Sequence, residues 1–266
     1  PDTFSEFISY GSYGVTLGDV AYNSYVVSLV NRLYYGFIEN QNLCLPAILD
    51  LREKANFMLF DESESMRVRN AVNSVIFSSL KNQPASHQKF ILFDPEGRSH
   101  GFAPYLEFMR NNPAVMYNKV FTTQQQIREQ VEELSAFIDE FSQTKLADSS
   151  DIFAYNRVSV ERPESLKCLC LLNFPKGFDE QMLEQLANIV KNGSSCGVQT
   201  VIHFDENAIR NSSSTTYIDL LAKIRENCIC LQPSTVFRKR NKLGVQSSTH
   251  AKNHVGFLRI VCFQIC

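Results

Sequence analysis

Short apolar runs recur along this chain and alternate with stretches of helical spacing. Residues 57–60, 90–93, 166–172, 198–204 and 228–231 are each too brief for a helix and mostly apolar. Runs of that length and character predict buried strands. Between the first two, Val68, Ala71, Val72, Val75, Ile76 and Leu80 share one face of a predicted helix over 67–82. Thr123 opens the longest predicted helix, where it forms a capping box with Gln126. Ile127, Val131, Leu134, Phe137, Ile138 and Phe141 make its apolar stripe, which reads as core packing. A further helix runs from about Asp179, with Met182, Leu183, Leu186, Ile189 and Val190 inward and Gly193 as its C-terminal cap. Tyr217, Leu220, Leu221 and Ile224 mark a short one. Strands joined by helices make βαβ units, hence a parallel sheet.

The flanks have a different texture. Residues 1–45 are rich in Tyr, Ser, Gly and Asn and read as a β-rich approach segment, with residues 25–33 open to helix or strand. Leu45 to Leu51 reads as a strand leading to the core. Residues 145–165 are polar and read as a loop, and Asp94-Pro95-Glu96-Gly97 as a turn. From residue 234 to 266 there are six Lys or Arg and no Asp or Glu, with residues 256–263 as a possible closing strand. The expected organisation is an approach segment over 1–45, a core over 46–233 and a basic tail over 234–266.

At 266 residues with 44% hydrophobic and 20% charged content, the chain has ordinary globular composition and length for one large α/β domain. A net charge of -2 gives no bulk attraction to nucleic acid. No apolar run reaches the roughly 20 residues of a membrane span, no signal peptide opens the chain, and Pro1 suggests a piece of a longer protein. Eight cysteines look like a disulfide or metal set until they are placed. Cys168/Cys170 and Cys228/Cys230 are C-x-C pairs inside predicted strands, where i and i+2 share a face. They lack zinc-knuckle spacing and read as small buried hydrophobes. Free thiols favour a reducing, cytoplasmic setting.

Other chemistries find little support. His203 sits in a predicted strand and reads as a core residue. His250 and His254 have i, i+4 spacing without the glutamate of a zinc-protease helix. Ser194-Ser195-Cys196 lacks a nucleophile elbow. No metal ligand set emerges. Arg238, Lys239, Arg240 and Lys242 could contact DNA phosphates, against the plainer reading of a solvated basic segment.

The stretch after the first strand carries the main functional question. Strand, tight loop and helix is the setting of a phosphate-binding loop, GxxxxGK[ST]. Here the loop reads Asp61, Glu62, Ser63, Glu64, Ser65, Met66, Arg67, Val68. Neither glycine, nor the lysine, nor the hydroxyl stands where that motif needs it.

The order of the pieces resembles the motor domain of the FtsK/SpoIIIE translocases, in the FtsK/HerA group of P-loop ATPases. Asp94-Pro95 looks like that family's Ile-Asp-Pro-Lys. Asp151-Ile152 and Tyr155-Asn156 are similar to its Asn-Ile-x-x-Tyr-Asn, and Ala187 to Ile202, with Cys196-Gly197-Val198, to its Arg-Ala-Ala-Gly-Ile-His-Leu-Ile segment. The resemblance covers roughly residues 45 to 233. It implies a three-layer RecA-like P-loop fold, with a mainly parallel sheet of order 5-1-4-3-2 between helices. It implies ATP and Mg²⁺ as cofactors, and other FtsK-like modules as partners, in cis or in a ring.

The departures fall on the catalytic positions. Side chains replace the loop glycines that permit close approach, and Asp61, Glu62 and Glu64 would repel phosphate. The Walker B acids would fall on Leu172 and Asn173, or on Asn173 and Phe174. The sensor position would fall on Asp205. The expectation is therefore a catalytically degenerate module with no cofactor, structural or regulatory, beside active ATPases in a translocase-like or secretion-like assembly. The alternatives are an active ATP-driven DNA translocase with an unorthodox loop, and a DNA-binding module using the basic tail.

Overall fold

The computed structural model describes residues 4–16, 42–53, 55–61, 66–96, 100–113, 115, 119–159, 163–205, 207 and 214–231. Strand β1 (Phe7–Thr16) pairs antiparallel with β2 (Asn42–Asp50), with a register shift between Ser9 and Gly11. The core sheet holds β3 (Phe57–Asp61), β4 (Gln88–Phe93), β5 (Leu166–Phe174), β6 (Val198–Asp205) and β7 (Ile229–Leu231). Its order is β4-β5-β6-β3-β7 and every pairing is parallel. Counted from β3 this is 5-1-4-3-2, with β6 between β3 and β5 as expected. β6 is buried at all of its positions, so no polar alternation shows in its sequence.

Six α-helices are described: α1 (Met66–Asn82), α2 (Leu106–Asn111), α3 (Gln124–Thr144), α4 (Ile152–Val158), α5 (Glu180–Asn192) and α6 (Thr215–Glu226). Helices α3, α5 and α6 pack together on one side of the sheet and α1 lies on the other. The α3 capping box forms as the sequence predicts, between Thr123 and Gln126. Asp179 caps α5 by accepting from the Met182 N–H. Gly193 ends α5 in a right-handed conformation, and the left-handed turn comes later, at Gly197 with φ 73°. A Cβ on Gly193 would lie 2.5 Å from the Ile189 carbonyl oxygen, which accounts for glycine there.

One expectation fails in the described residues. The 145–165 stretch is not all loop: Asp151 accepts from the Ala154 N–H and starts α4, which buries Ile152 and Phe153. Seven residues are too few to show a helical stripe in sequence. Segment 25–33, Gly97 and residues 232–266 lie outside the described residues, and so do His250, His254 and the basic cluster.

A buried asparagine joins the sheet's centre to two helix ends. The Asn56 amide donates to the Val190 carbonyl at 2.7 Å, and its oxygen accepts from Thr200 N at 3.0 Å and Thr200 Oγ1 at 2.9 Å. Its side chain thereby extends the β3–β6 ladder one step below Phe57, while its backbone carbonyl accepts from the Ile229 N–H at 2.8 Å. The segment before β1 is tied to the core as well. Gln83 donates to the Ser5 carbonyl at 2.6 Å and accepts from the Ser5 N–H at 3.0 Å, and Glu6 pairs with Arg52 and Arg157.

Candidate functional site

In a parallel α/β sheet, ligands bind beyond the carboxyl ends of the strands. Here that edge carries Asp61 at the end of β3, Asp94 after β4, the Asn173–Gly177 turn at the end of β5 and Asp205 at the end of β6. Asp61 and Asp205 are register partners on neighbouring strands. A row of aromatic rings lies along this end of the sheet: Phe93 meets Phe178, Phe178 meets Phe174, Phe174 meets Phe204 and Phe204 meets Phe60, with centroids 5.0–6.0 Å apart. Such spacing is that of favourable tilted and edge-on pairs, and it makes a firm base for the turns above.

The β5 turn is tightly built. Asn173 has φ 56°, a left-handed conformation that asparagine tolerates better than most residues, and Gly177 has φ 81°. The Lys176 N–H donates to the Asn173 carbonyl at 3.0 Å. A Cβ on Gly177 would sit 3.1 Å from the Phe93 ring, so glycine lets the turn lie against β4. Lys176 then reaches sideways to two carboxylates: its Nζ is 2.6 Å from Glu96 Oε1 and 3.1 Å from Asp205 Oδ2. Burial pulls the Lys176 pKa down, but the hydrogen bonds to Glu96 and Asp205 outweigh it and hold the pKa above the ordinary lysine value. Asp205 Oδ1 also accepts from the Asn207 N–H at 3.0 Å.

Leu172 and Asn173, the residues expected at the Walker B position, lie near the end of β5 at this edge. Leu172 is buried and apolar, and Asn173 is buried and neutral. The Asn173 N–H donates to His203 Nδ1 at 3.2 Å, which makes His203 a core residue between β5 and β6. Asp205, the residue expected at the sensor position, is engaged by Lys176. Among the described residues, no group of three or more His, Cys, Asp and Glu could hold a metal ion. Of the loop, Asp61 closes β3, Met66 and Arg67 open α1, and Val68 is buried in the core. Glu62, Ser63, Glu64 and Ser65 lie outside the described residues.

The other motif residues serve the frame. Asp94 is fully buried and its carboxylate accepts from the Gly101 N–H at 3.2 Å. Asn156 clamps the chain entering β5, donating to the Glu164 carbonyl and accepting from its N–H. Cys196-Gly197-Val198 turns into the start of β6. Asn156 and Gly197 are therefore at the opposite edge of the sheet from Asp205. That edge also holds a small cleft lined by Gln88, Phe90, Cys168, Gln199, Ser79 of α1 and Gln83 just after it. Cys168 and Cys170 are free thiols, buried on one face of β5 with sulfurs 3.7 Å apart. Sequence reasoning missed Lys176, because its partners lie 80 residues before and 29 after it.

No protein-family model matches the chain, and no curated protein matches it. Solved structures do. The pCW3 conjugation coupling protein TcpA, in a monomer form with ATPγS, is similar over 73% of this chain and 52% of its own, at 14% identity and a TM-score of 0.53. EssC (ATPases 2 and 3) from Geobacillus thermodenitrificans is similar over 84% of this chain and 36% of its own, at 14% identity and a TM-score of 0.54. The chain spans about half the length of the first and about a third of the second. At these identities the likeness is one of fold, and the fold is that of the FtsK/SpoIIIE-type P-loop ATPase domain. No helix among the described residues is long and apolar enough to cross a membrane.

Proposed function

We propose that residues 46–233 form a catalytically degenerate FtsK/SpoIIIE-like module, a structural or regulatory unit in a cytoplasmic secretion-like or translocase-like ATPase assembly. The observation that carries this reading is the end of β5 and β6, where Leu172 and Asn173 offer no metal carboxylate and Asp205 is held by Lys176. Phosphoryl transfer rests on positioning and charge stabilisation. Without a metal carboxylate and a phosphate-loop lysine, little of either remains. Titration calorimetry with Mg-ATP is expected to show no binding tighter than about 1 mM, which is about -4 kcal/mol. A micromolar dissociation constant, or hydrolysis abolished by Arg67→Ala, would establish an active motor instead.

The scaffold is kept while the phosphate chemistry is lost, and this favours a role through contact with other modules. Fold neighbours such as EssC, described as ATPases 2 and 3, are chains with more than one ATPase unit. The sequence over 61–69, which follows β3, carries Glu62, Glu64, Arg67 and Arg69, charges suited to a contact with a neighbouring module. Wild type is expected to co-purify with the other modules of its assembly, and Glu62→Lys/Glu64→Lys to co-purify less. Equal recovery of both forms, or of neither, removes this loop from the interface. Binding of DNA that weakens steeply with salt, and is lost when Arg238, Lys239, Arg240 and Lys242 are neutralised, would favour the basic-tail alternative.

A further inference from the structure

We propose that Lys176 is a resident counter-cation, its ammonium standing at the carboxyl edge of the sheet where a divalent cation would otherwise be drawn to Asp205 and Glu96. The inference rests on the reading of a degenerate site given above. Its support is the way the lysine is mounted. Glu96 follows β4 and Asp205 ends β6, and in the sheet these strands are separated by β5 alone. Lys176 follows β5, so one side chain links three adjacent strand ends, with Nζ at 2.6 Å and 3.1 Å from the two carboxylates. The Asp205 side chain is only 7% exposed, so its charge is poorly served by solvent and depends on a near partner. That partner is fixed by the turn itself, through left-handed Asn173 and Gly177 and the Lys176 N–H bond to the Asn173 carbonyl. A divalent ion placed between the same oxygens would meet the ammonium at close range, a like-charge contact that opposes its binding. The ammonium thereby offsets one of the two carboxylate charges from within the chain and occupies the place between them.

The test is a titration with Mn²⁺ in the absence of nucleotide, followed by electron paramagnetic resonance of the free ion, on the whole chain at constant ionic strength. Wild type is expected to show no saturable site below about 1 mM, about -4 kcal/mol in binding terms. Lys176→Met is expected to gain at least tenfold in affinity, and the gain is expected to vanish in Lys176→Met/Asp205→Asn. Lys176→Gln serves as the second variant if the methionine form does not fold, since the lysine side chain is partly exposed and glutamine is soluble there. Mn²⁺ affinity that is the same in wild type and in either folded variant overturns the proposal, as does a saturable site in wild type or a gain that survives Asp205→Asn. Because nucleotide is absent, these outcomes are independent of the Mg-ATP titration. Tight ATP binding would remove the degenerate reading, whereas an unchanged Mn²⁺ response would remove only the role given to Lys176.

Discussion

Asn56→Ala is expected to lower stability by about 4 kcal/mol, through groups it leaves behind and not through lost volume. Asn56 is 1% exposed, and its amide bonds Val190 and Thr200, with a longer contact from Nδ2 to the Asn227 carbonyl at 3.4 Å. Alanine strands the Val190 carbonyl and the Thr200 N–H away from water, and each such orphan costs about 1–3 kcal/mol. For a domain of this size the midpoint of thermal unfolding should fall by roughly 8–16 °C, taking about 2–4 °C per kcal/mol. Asn56→Asp is not expected to rescue it, because a carboxylate keeps the acceptor for Thr200 but faces the Val190 carbonyl with negative charge. Urea unfolding of wild type, both variants and an Asn56→Ala/Thr200→Val double variant checks this. A loss under about 1 kcal/mol for Asn56→Ala, or full additivity with Thr200→Val, would show that the network carries little energy.

Lys167→Met is expected to stabilise the fold at neutral pH. Lys167 follows the first residue of β5, with its Nζ 3.1 Å from the centre of the Phe137 ring and 3.7 Å from Glu164 Oε1. Burial dominates over the attraction of Glu164 and brings its pKa down from 10.5 to about 8. The sign follows from proton binding. Between pH 8 and 10.5 the unfolded chain holds a proton that the folded chain has released, so stability rises with pH across that window. Below pH 8 the folded state carries a charge it would be better without, at a cost of about 3 kcal/mol, since each tenfold loss of proton affinity on folding costs about 1.4 kcal/mol. Methionine keeps the straight chain against Phe137 and removes the charge. The buried thiols of Cys170 and Cys228, whose pKa values are pushed up mainly by the Cys168 hydrogen bond and by burial respectively, act in the opposite sense above about pH 9. The readout is therefore the difference between the two stability curves: it should be largest at pH 7 and shrink towards pH 10.5. A difference independent of pH would refute the assignment.

The central strands were legible because residues 57–60, residues 168–174 and all of β6 are buried on both faces, so the run itself is the signal. The helix cap at Thr123 was legible for a similar reason, being local chemistry written within four residues. The strand order was not in the periodicities; it came through the resemblance, whose weak motifs turn out to mark the frame. Asn156, read there as part of a family loop, is a clamp on the chain entering β5. Helix α4 was hidden by its shortness. The segment through 100–111 was missed because a 3₁₀ turn over His100–Tyr105 runs into the six-residue α2 and leaves no stripe. At the candidate site, the expectation that Leu172 and Asn173 stand at the end of a core strand could be read from the sequence. The meeting of Lys176 with Glu96 and Asp205 could not, since these residues come together only when β4, β5 and β6 are side by side.

The placing of β3 at the middle of the sheet has a consequence for how the chain is made. β3 ends by residue 61, yet its neighbours are β6, which begins at Val198, and β7, which begins at Ile229. On a ribosome adding about 5–20 residues per second, β3 must wait roughly 7–30 seconds for its first partner to be synthesised. During that interval an apolar strand with both edges bare is exposed, while β4 and β5 can already pair. Nascent chains halted before residue 198 should therefore recruit holdase chaperones strongly, and chains halted well beyond residue 231 should release them.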